Sequence, residues 1–236
     1  MTCILMPTVA FAAIAKQATD YDDTSAGDSS ETTAITVDSG SDILLVAGIG
    51  SEDSTEADSV ISSITCNTTE TMTQAKTYFE GVNRVDIWYL INPTVGSYNC
   101  VTAYAGTVSD SVLNFSVYTG AKQSAQPDAV SAGESGAGFP ATPDVTTVAA
   151  NCVIVDVVDG NLSTQTAVEP TAGQTEILDT DTANHTVGVG YEIVTTATAY
   201  SQTWSATGGG SWDAIAVSFA PVAPTGIKKG SVIVTT

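Results

Sequence analysis

The sequence predicts an all-β fold: a two-sheet antiparallel β-sandwich, jelly-roll-like, with extended terminal strands. Apolar segments of strand length follow one another from Ile43 to Phe219, and each is bounded by Gly, Asn, Asp, Ser or Pro. Helical periodicity is hard to find anywhere in the chain. The segments number on the order of ten, which is too many for one open sheet of this length and fits two sheets packed face to face.

The first half of the chain contains the clearest strand patterns. Residues 42–50 (DILLVAGIG) form a near-continuous apolar run that is typical of a buried strand. Residues 84–92 (RVDIWYLIN) alternate, with Val85, Ile87 and Tyr89 on one face. A turn at Pro93 and Gly96 follows, and the segments YNCVTAYAG and SVLNFSVYTG complete an antiparallel meander.

In the second half, residues 121–143 are rich in Ala, Gly, Ser and Pro and predict a long loop. Strands resume with TTVAANCVIVDVVDG and NHTVGVGYEIVTT, whose glycines predict close packing or bulges. Residues 200–207 predict a further strand, and SWDAIAVSFAP predicts a central closing strand. No internal repeat is found at a fixed period.

These patterns divide the chain into three parts. Residues 1–33 are expected to contain an N-terminal strand near Thr8 to Ala15 and an acidic loop, both packed on the core. Residues 34–221 are expected to form the sandwich. Residues 222–236 are expected to form a linker and a C-terminal strand for attachment. The N-terminus lacks a basic region and is interrupted by Pro7, so it is not a convincing signal peptide. No apolar stretch approaches the roughly 18 residues that span a bilayer.

The charge balance restricts the function. Asp and Glu outnumber Lys and Arg 26 to 6, and the formal net charge is −20. Such a chain repels phosphate backbones and anionic lipids, so nucleic acids and membranes are not expected partners. The only histidine is His185, and neither a nucleophile elbow nor an assignable carboxylate pair accompanies it, so no catalytic residue is predicted. A non-enzymatic structural or binding module is expected.

Three segments in order, DILLVAGI, IWYLINPTVGSYNCVTAYAG and GGSWDAIAVSFAP, resemble a β-sandwich module of tailed-phage and other virus-associated surface, fibre or decoration proteins. The resemblance covers roughly Ala34 to Pro221 and rests on the succession of strands rather than on a catalytic signature. It implies a virion-surface or extracellular location, with the termini used for attachment. No functional residue is carried over, because no site motif accompanies the resemblance.

Assembly is expected through sheet edges and terminal strands. The C-terminal segment IKKGSVIVTT supplies the candidate assembly residues Ile227, Val232, Ile233 and Val234, with pairing inside its own sandwich as an equal alternative. The partners are then other copies of the chain, in a closed ring such as a trimer, and neighbouring structural proteins. A pilus-like filament held by strand exchange and a carbohydrate-binding or adhesin module are the alternative functions.

No cofactor is expected, and calcium is the one metal that the composition favours. Two acidic groups offer the hard oxygen ligands that calcium prefers, although neither matches a DxDxDG loop and a solvated acidic loop is the simpler interpretation. The candidate ligands are Asp20, Asp22, Asp23, Asp28, Glu52 and Asp53.

Aromatic rings and thiols complete the candidates. Five aromatic residues are candidates for a sugar-stacking platform in a glycan-binding module, if their rings are exposed. Most of these rings are expected in the core or an interface. The candidates are Tyr78, Phe79, Tyr104, Tyr200 and Trp204. Four cysteines, Cys3, Cys66, Cys100 and Cys152, form no CxxC pair, so metal ligation through sulfur is not expected. Free buried thiols are favoured over two disulfides.

Overall fold

A computed structural model describes residues 13–139, 141–161, 169–171, 173–181, 185–206 and 210–223. Within these ranges the chain is almost entirely β-structure, with one short helix, α1 (Glu56–Ser59). The strands of the first half are β1 (Ala15–Ser25), β2 (Ser30–Val37), β3 (Leu44–Glu52), β4 (Ile61–Cys66), β5 (Glu70–Thr71), β6 (Thr73–Glu80), β7 (Asn83–Ile91), β8 (Gly96–Tyr104) and β9 (Asp110–Thr119). Those of the second half are β10 (Ala129–Val130), β11 (Glu134–Ala137), β12 (Asp144–Thr146), β13 (Val153–Asn161), β14 (Glu169–Pro170), β15 (Thr175–Asp181), β16 (His185–Ile193), β17 (Ala199–Ser201), β18 (Trp204–Ser205) and β19 (Ser211–Phe219).

The first half folds as a jelly roll. Sheet A contains β1, β9, β3, β7 and β6 in that spatial order, and sheet B contains β2, β8, β4 and β5. Only Met72 separates β5 from β6, so the chain passes from sheet B into sheet A at this residue. Two antiparallel sheets whose strands interleave in this way along the chain define a jelly roll.

The second half repeats this topology. Sheet C contains β10, β19, β13, β16 and β15 in that order, and β11 continues the edge beside β19. Its order matches sheet A, with β10 and β11 in the place of β1, β19 in the place of β9, and β13, β16 and β15 in the places of β3, β7 and β6. The short pairs β12–β17 and β14–β18 cover the outer face of sheet C, as sheet B covers sheet A.

The two halves also share their strand register. Val46 lies opposite Tyr89 in sheet A, and Val155 lies opposite Tyr191 in sheet C. The edge strands β6 and β15 both pair regularly for two residues and then bulge. Equal strand order, register and bulge position show that the chain contains two copies of one fold.

Sheets A and C pack face to face and share one hydrophobic core. Leu44 and Val46 of β3 enter this core, whereas Leu45 and Ala47 enter the second core, between sheets A and B. Residues 42–50 read as a continuous apolar run because β3 is buried on both faces. Gly50 allows the two sheets to approach, since a Cβ atom there would lie only 2.5 Å from a methyl carbon of Val187.

The predicted all-β antiparallel sandwich is confirmed. The chain stacks two such sandwiches through sheets A and C, so it contains more layers than the two that the sequence predicts. Residues 121–143 are not a free loop: β10 and β11 pair with β19, and this pairing satisfies their backbone groups. The predicted N-terminal strand, Thr8 to Ala15, lies largely outside the described residues.

The predicted acidic loop within residues 1–33 is largely a strand. Asp20, Asp22 and Asp23 belong to β1, which pairs with β9 at the edge of sheet A. Charged side chains are tolerated on an edge strand because they reach water and oppose pairing with other chains.

The expectation of free thiols is wrong for two of the cysteines. Cys66 and Cys100 form a disulfide, whereas Cys152 is free and buried. Cys66 and Cys100 lie directly opposite each other on β4 and β8, and this register cannot be read from two separate sequence segments. Cys3 lies outside the described residues.

Candidate functional site

The outer face of sheet B carries no charged side chain. Alternate residues of β2, β4 and β8 fill the core against sheet A, so the residues between them point outward. The outward side chains are called the neutral face and are Ser30, Thr32, Ala34, Thr36, Ser63, Thr65, Thr71, Ser97, Asn99, Val101 and Ala103.

The neutral face is ordered in rows that cross the strands. Thr32 lies opposite Val101, which lies opposite Thr65, and Thr65 in turn lies opposite Thr71. One row therefore contains a side chain from each of four strands. Val101 keeps 40% of its surface exposed, so solvent reaches the middle of the face.

A covalent bond lies beneath this face. The Cys66–Cys100 disulfide joins β4 to β8 with a Cα–Cα distance of 4.0 Å, and both side chains are buried. Because it joins opposite residues of adjacent strands, the bond prevents the two strands from slipping. The rows of the neutral face therefore keep their alignment.

A groove of about 540 Å³ lies at one end of the neutral face. The turn between β4 and β5 borders it, and Asn67 and Thr68 both adopt positive φ there (46° and 64°). The Asn67 amide donates to the carbonyl oxygen of Asn99 at 3.0 Å, which holds the turn against β8. The lining is uncharged and consists of Thr65, Asn67, Thr68, Tyr98, Asn99 and Val101.

A second cavity, of about 450 Å³, lies where the described chain ends. Ala223, the last described residue, lines it together with Pro221, Val222 and Ala149. Lys122 and Asp128 supply its charged groups.

Three carboxyl groups of sheet C are buried, those of Asp156, Asp159 and Asp213. Asp156 accepts hydrogen bonds from the indole nitrogen of Trp204 and, at 3.0 Å, from Gln174 Nε2, and its burial raises its pKa to about 7 in spite of both donors. Asp213 accepts from the Glu80 amide of the first half at 2.7 Å, and burial raises its pKa to about 8. The hydrogen bond from the Glu80 amide to Asp213 joins the two halves of the chain.

Another buried carboxylate belongs to β7. Asp86 accepts from Arg84 Nε at 3.0 Å and from Gln74 Nε2 at 2.8 Å. Sequence reasoning did not single out these four aspartates. For Asp156 a signal was present, because it interrupts an otherwise apolar strand, residues 153–158.

The candidate calcium ligands are held by protein groups in two separate places. Asp20 pairs with Lys16 at 2.6 Å, and Asp22 accepts from Asn114 at 2.6 Å. Asp23 accepts from Thr33, and Asp53 accepts from Ser109 and from the Thr55 amide. Contacts with other residues also engage Asp28 and Glu52. Within the described ranges no group of three or more His, Cys, Asp or Glu side chains is placed to hold a metal ion.

The candidate aromatic platform is dispersed. Tyr104 belongs to the core between sheets A and B, and Trp204 is fully buried beside Asp156. Tyr78, Phe79 and Tyr200 are half-buried, and Tyr200 packs against the outer face of sheet C. These five rings do not form one surface.

The candidate assembly residues Ile227, Val232, Ile233 and Val234 lie outside the described residues. His185 is the first residue of β16. No helix in the described ranges is both long and apolar enough to cross a membrane. No protein-family model, curated protein or solved structure matches this chain.

Proposed function

We propose that this protein is a non-enzymatic structural subunit of a virion or other extracellular surface, which acts by associating with copies of itself and with neighbouring structural proteins. The observation that carries the proposal is the fusion of two jelly rolls through one core, with the neutral face of sheet B left exposed. Jelly rolls occur in viral capsid and lectin domains and in cupins.

The buried groups support a structural role. Asp86 and Asp156 are fully buried and Asp213 is 1% exposed, and each one accepts a hydrogen bond from a protein group. A general acid or base must come within hydrogen-bond reach of a substrate. These three carboxyl groups are enclosed in the fold, where a substrate in solvent would not reach them, and their raised pKa values follow from that burial.

The disulfide supports an extracellular setting. Bonds of this kind persist in oxidising environments such as the exterior of cells and virion surfaces. The net charge of −20 also suits a displayed particle, since it limits random aggregation.

Glycan binding is the second candidate function, and the groove beside the neutral face favours it. Its volume lies in the range of small-ligand sites, and its lining offers amide and hydroxyl groups without charge. A neutral sugar would meet no repulsion there. Glycan-array binding that Asn99→Ala abolishes would support this candidate over the structural one.

Light scattering and electron microscopy of the full chain and of a chain ending at Pro221 test the proposal. Small closed oligomers are expected of the full chain. Open filaments that truncation abolishes would favour the pilus-like alternative, and turnover of a polysaccharide would overturn the non-enzymatic assignment. A monomer at every concentration in both chains would contradict the structural role.

A further inference from the structure

We propose that a second copy of this chain docks on the neutral face, so that two β2–β8–β4–β5 sheets pack back to back about a two-fold axis. The inference rests on the proposed function and assigns a surface to it. Four observations carry it: the charge of the chain, a matched surface in the second half, the size of the side chains, and the character of the sheet edges.

The charge of the chain favours an uncharged patch for contact between copies. In a two-fold interface the same patch is used by both copies, so each acidic group on it is brought twice into the contact. With 26 acidic and 6 basic residues, the chain has too few cations to neutralise such a contact. A patch without carboxylates therefore minimises the repulsion in a two-fold interface, and the neutral face is such a patch.

The second jelly roll provides an internal comparison. Tyr98 lies opposite Ile35 in sheet B, and Tyr200 lies opposite Val145 in the second half, so Ile35 and Val145 occupy equivalent positions. The residues that precede them, Ala34 and Asp144, are therefore also equivalent. Asp144 is exposed. The same fold thus places a carboxylate on one outer face and a methyl group on the other, so the absence of charge on the neutral face is not a requirement of the fold.

Short side chains favour close packing of the two sheets. The neutral face consists of Ser, Thr, Ala, Asn and Val, none of which projects far from the backbone. The strands β2, β8, β4 and β5 contain 8, 9, 6 and 2 residues. With about 4.8 Å between strands and about 3.4 Å per residue, they cover roughly 400 Å². That area is well below the roughly 800 Å² per partner of a stable complex. A weak dimer is therefore expected, and its strength would grow when many copies lie side by side in an array.

The edges formed by β1 and β15 are less suited to self-association than the neutral face. Strand β1 forms one edge of sheet A and carries Asp20, Asp22 and Asp23. Strand β15 forms an edge of sheet C and carries Glu176 and Asp179. Acidic edge strands repel a second acidic strand, so docking by strand addition at these edges is opposed.

Sedimentation velocity on the full chain, at 20 mM and 500 mM NaCl (about 20 and about 4 Å of screening length), tests the inference. A dimer formed across an uncharged face should strengthen with salt, because salt screens the repulsion between the two acidic bodies. Val101→Glu should weaken association at least about tenfold, because each copy then brings a carboxylate into the contact. The matched control is Val130→Glu, since Val130 is 44% exposed on β10, outside the neutral face, and it should leave the dimer nearly unchanged.

Each outcome decides between the two proposals. If the Val101→Glu variant still associates and the chain ending at Pro221 does not, the docking surface is wrong. The structural role would then stand. Association that weakens with added salt would also overturn it, because it would indicate attraction between opposite charges. A full chain that stays monomeric in both salts would contradict the structural role itself. Thr32→Glu, in the same row, repeats the test if the Val101 variant does not fold.

Discussion

Replacing Asp156 with asparagine should change how the stability of the protein depends on pH. The Asp156 carboxyl group is fully buried, and one of its oxygens accepts from Trp204 and Gln174. Burial is the main reason that its pKa is raised to about 7, and the nearby Glu192 carboxylate adds to the effect. An asparagine carbonyl can accept the same two hydrogen bonds but has no proton to lose.

The size of the effect follows from the pKa difference between the two states. Asp156 should titrate near the ordinary value of about 4 in the unfolded chain and near 7 in the folded protein, which corresponds to about 4 kcal/mol. Because the folded state holds the proton more tightly, this stabilisation is complete below pH 4 and is lost as the pH rises through 7. The stability of the natural protein should therefore fall over this range by about 4 kcal/mol more than that of Asp156→Asn.

Urea denaturation at intervals from pH 4.5 to pH 8.5 measures this difference. At acid pH, Asp156→Asn should be less stable than the natural protein, because the buried amide group brings hydrogens that lack acceptors. At alkaline pH it should be the more stable of the two, because it has no proton to lose. Asp38→Asn is the control, since it removes the same charge from an exposed position. A stability difference between the natural protein and Asp156→Asn that stays constant with pH would refute the reasoning.

Other predictions concern the packing of the sheets and the cysteines. Replacing Cys66 and Cys100 by alanine should lower the free energy of unfolding by about 4 kcal/mol, given their sequence separation of 34; urea denaturation should show a reductant effect in the natural protein and none in the variant. Gly50→Ala should cost about 1 to 3 kcal/mol because its methyl group meets Val187, and the double variant with Val187→Ala should cost less than the sum of both. Additive costs in urea denaturation would refute this contact. Burial raises the pKa of the Cys152 thiol to about 12. In a Cys3→Ser variant, a thiol reagent should therefore label Cys152 only after denaturation. Rapid labelling of the folded variant would contradict the burial of Cys152.

Strand positions were largely predictable because they depend on local patterns. The alternation in residues 84–92 corresponds to β7, in which Val85, Ile87 and Tyr89 enter the core shared with sheet C. The glycines of NHTVGVGYEIVTT predicted close packing, and Gly190 indeed leaves room for Trp204, whose ring carbon would lie 2.9 Å from an added Cβ atom. Such patterns show whether a residue is buried without showing what it contacts.

The duplication could not be detected from the sequence. Tyr89 and Tyr191 occupy equivalent positions, and each lies opposite a valine of the neighbouring strand. The loops between the strands differ in length in the two halves, so equivalent residues do not recur at a fixed period. Cys100 has Gln202 as its counterpart, which shows that the two halves also differ in chemistry. The two halves share strand pairing and burial rather than sequence, so their similarity can be recognised only in the three-dimensional structure.

By itself the sequence determined the strand-rich fold class, the net charge of −20 and the presence of a single histidine, because composition and alternation are properties of the chain alone. The tertiary structure decided which strands pair, and with them the Cys66–Cys100 disulfide, the burial of Asp156 and the exposure of the neutral face. Pairing joins segments that are distant in the chain, and a strand with two apolar faces is compatible with many neighbours. Only the packed sheets select among them.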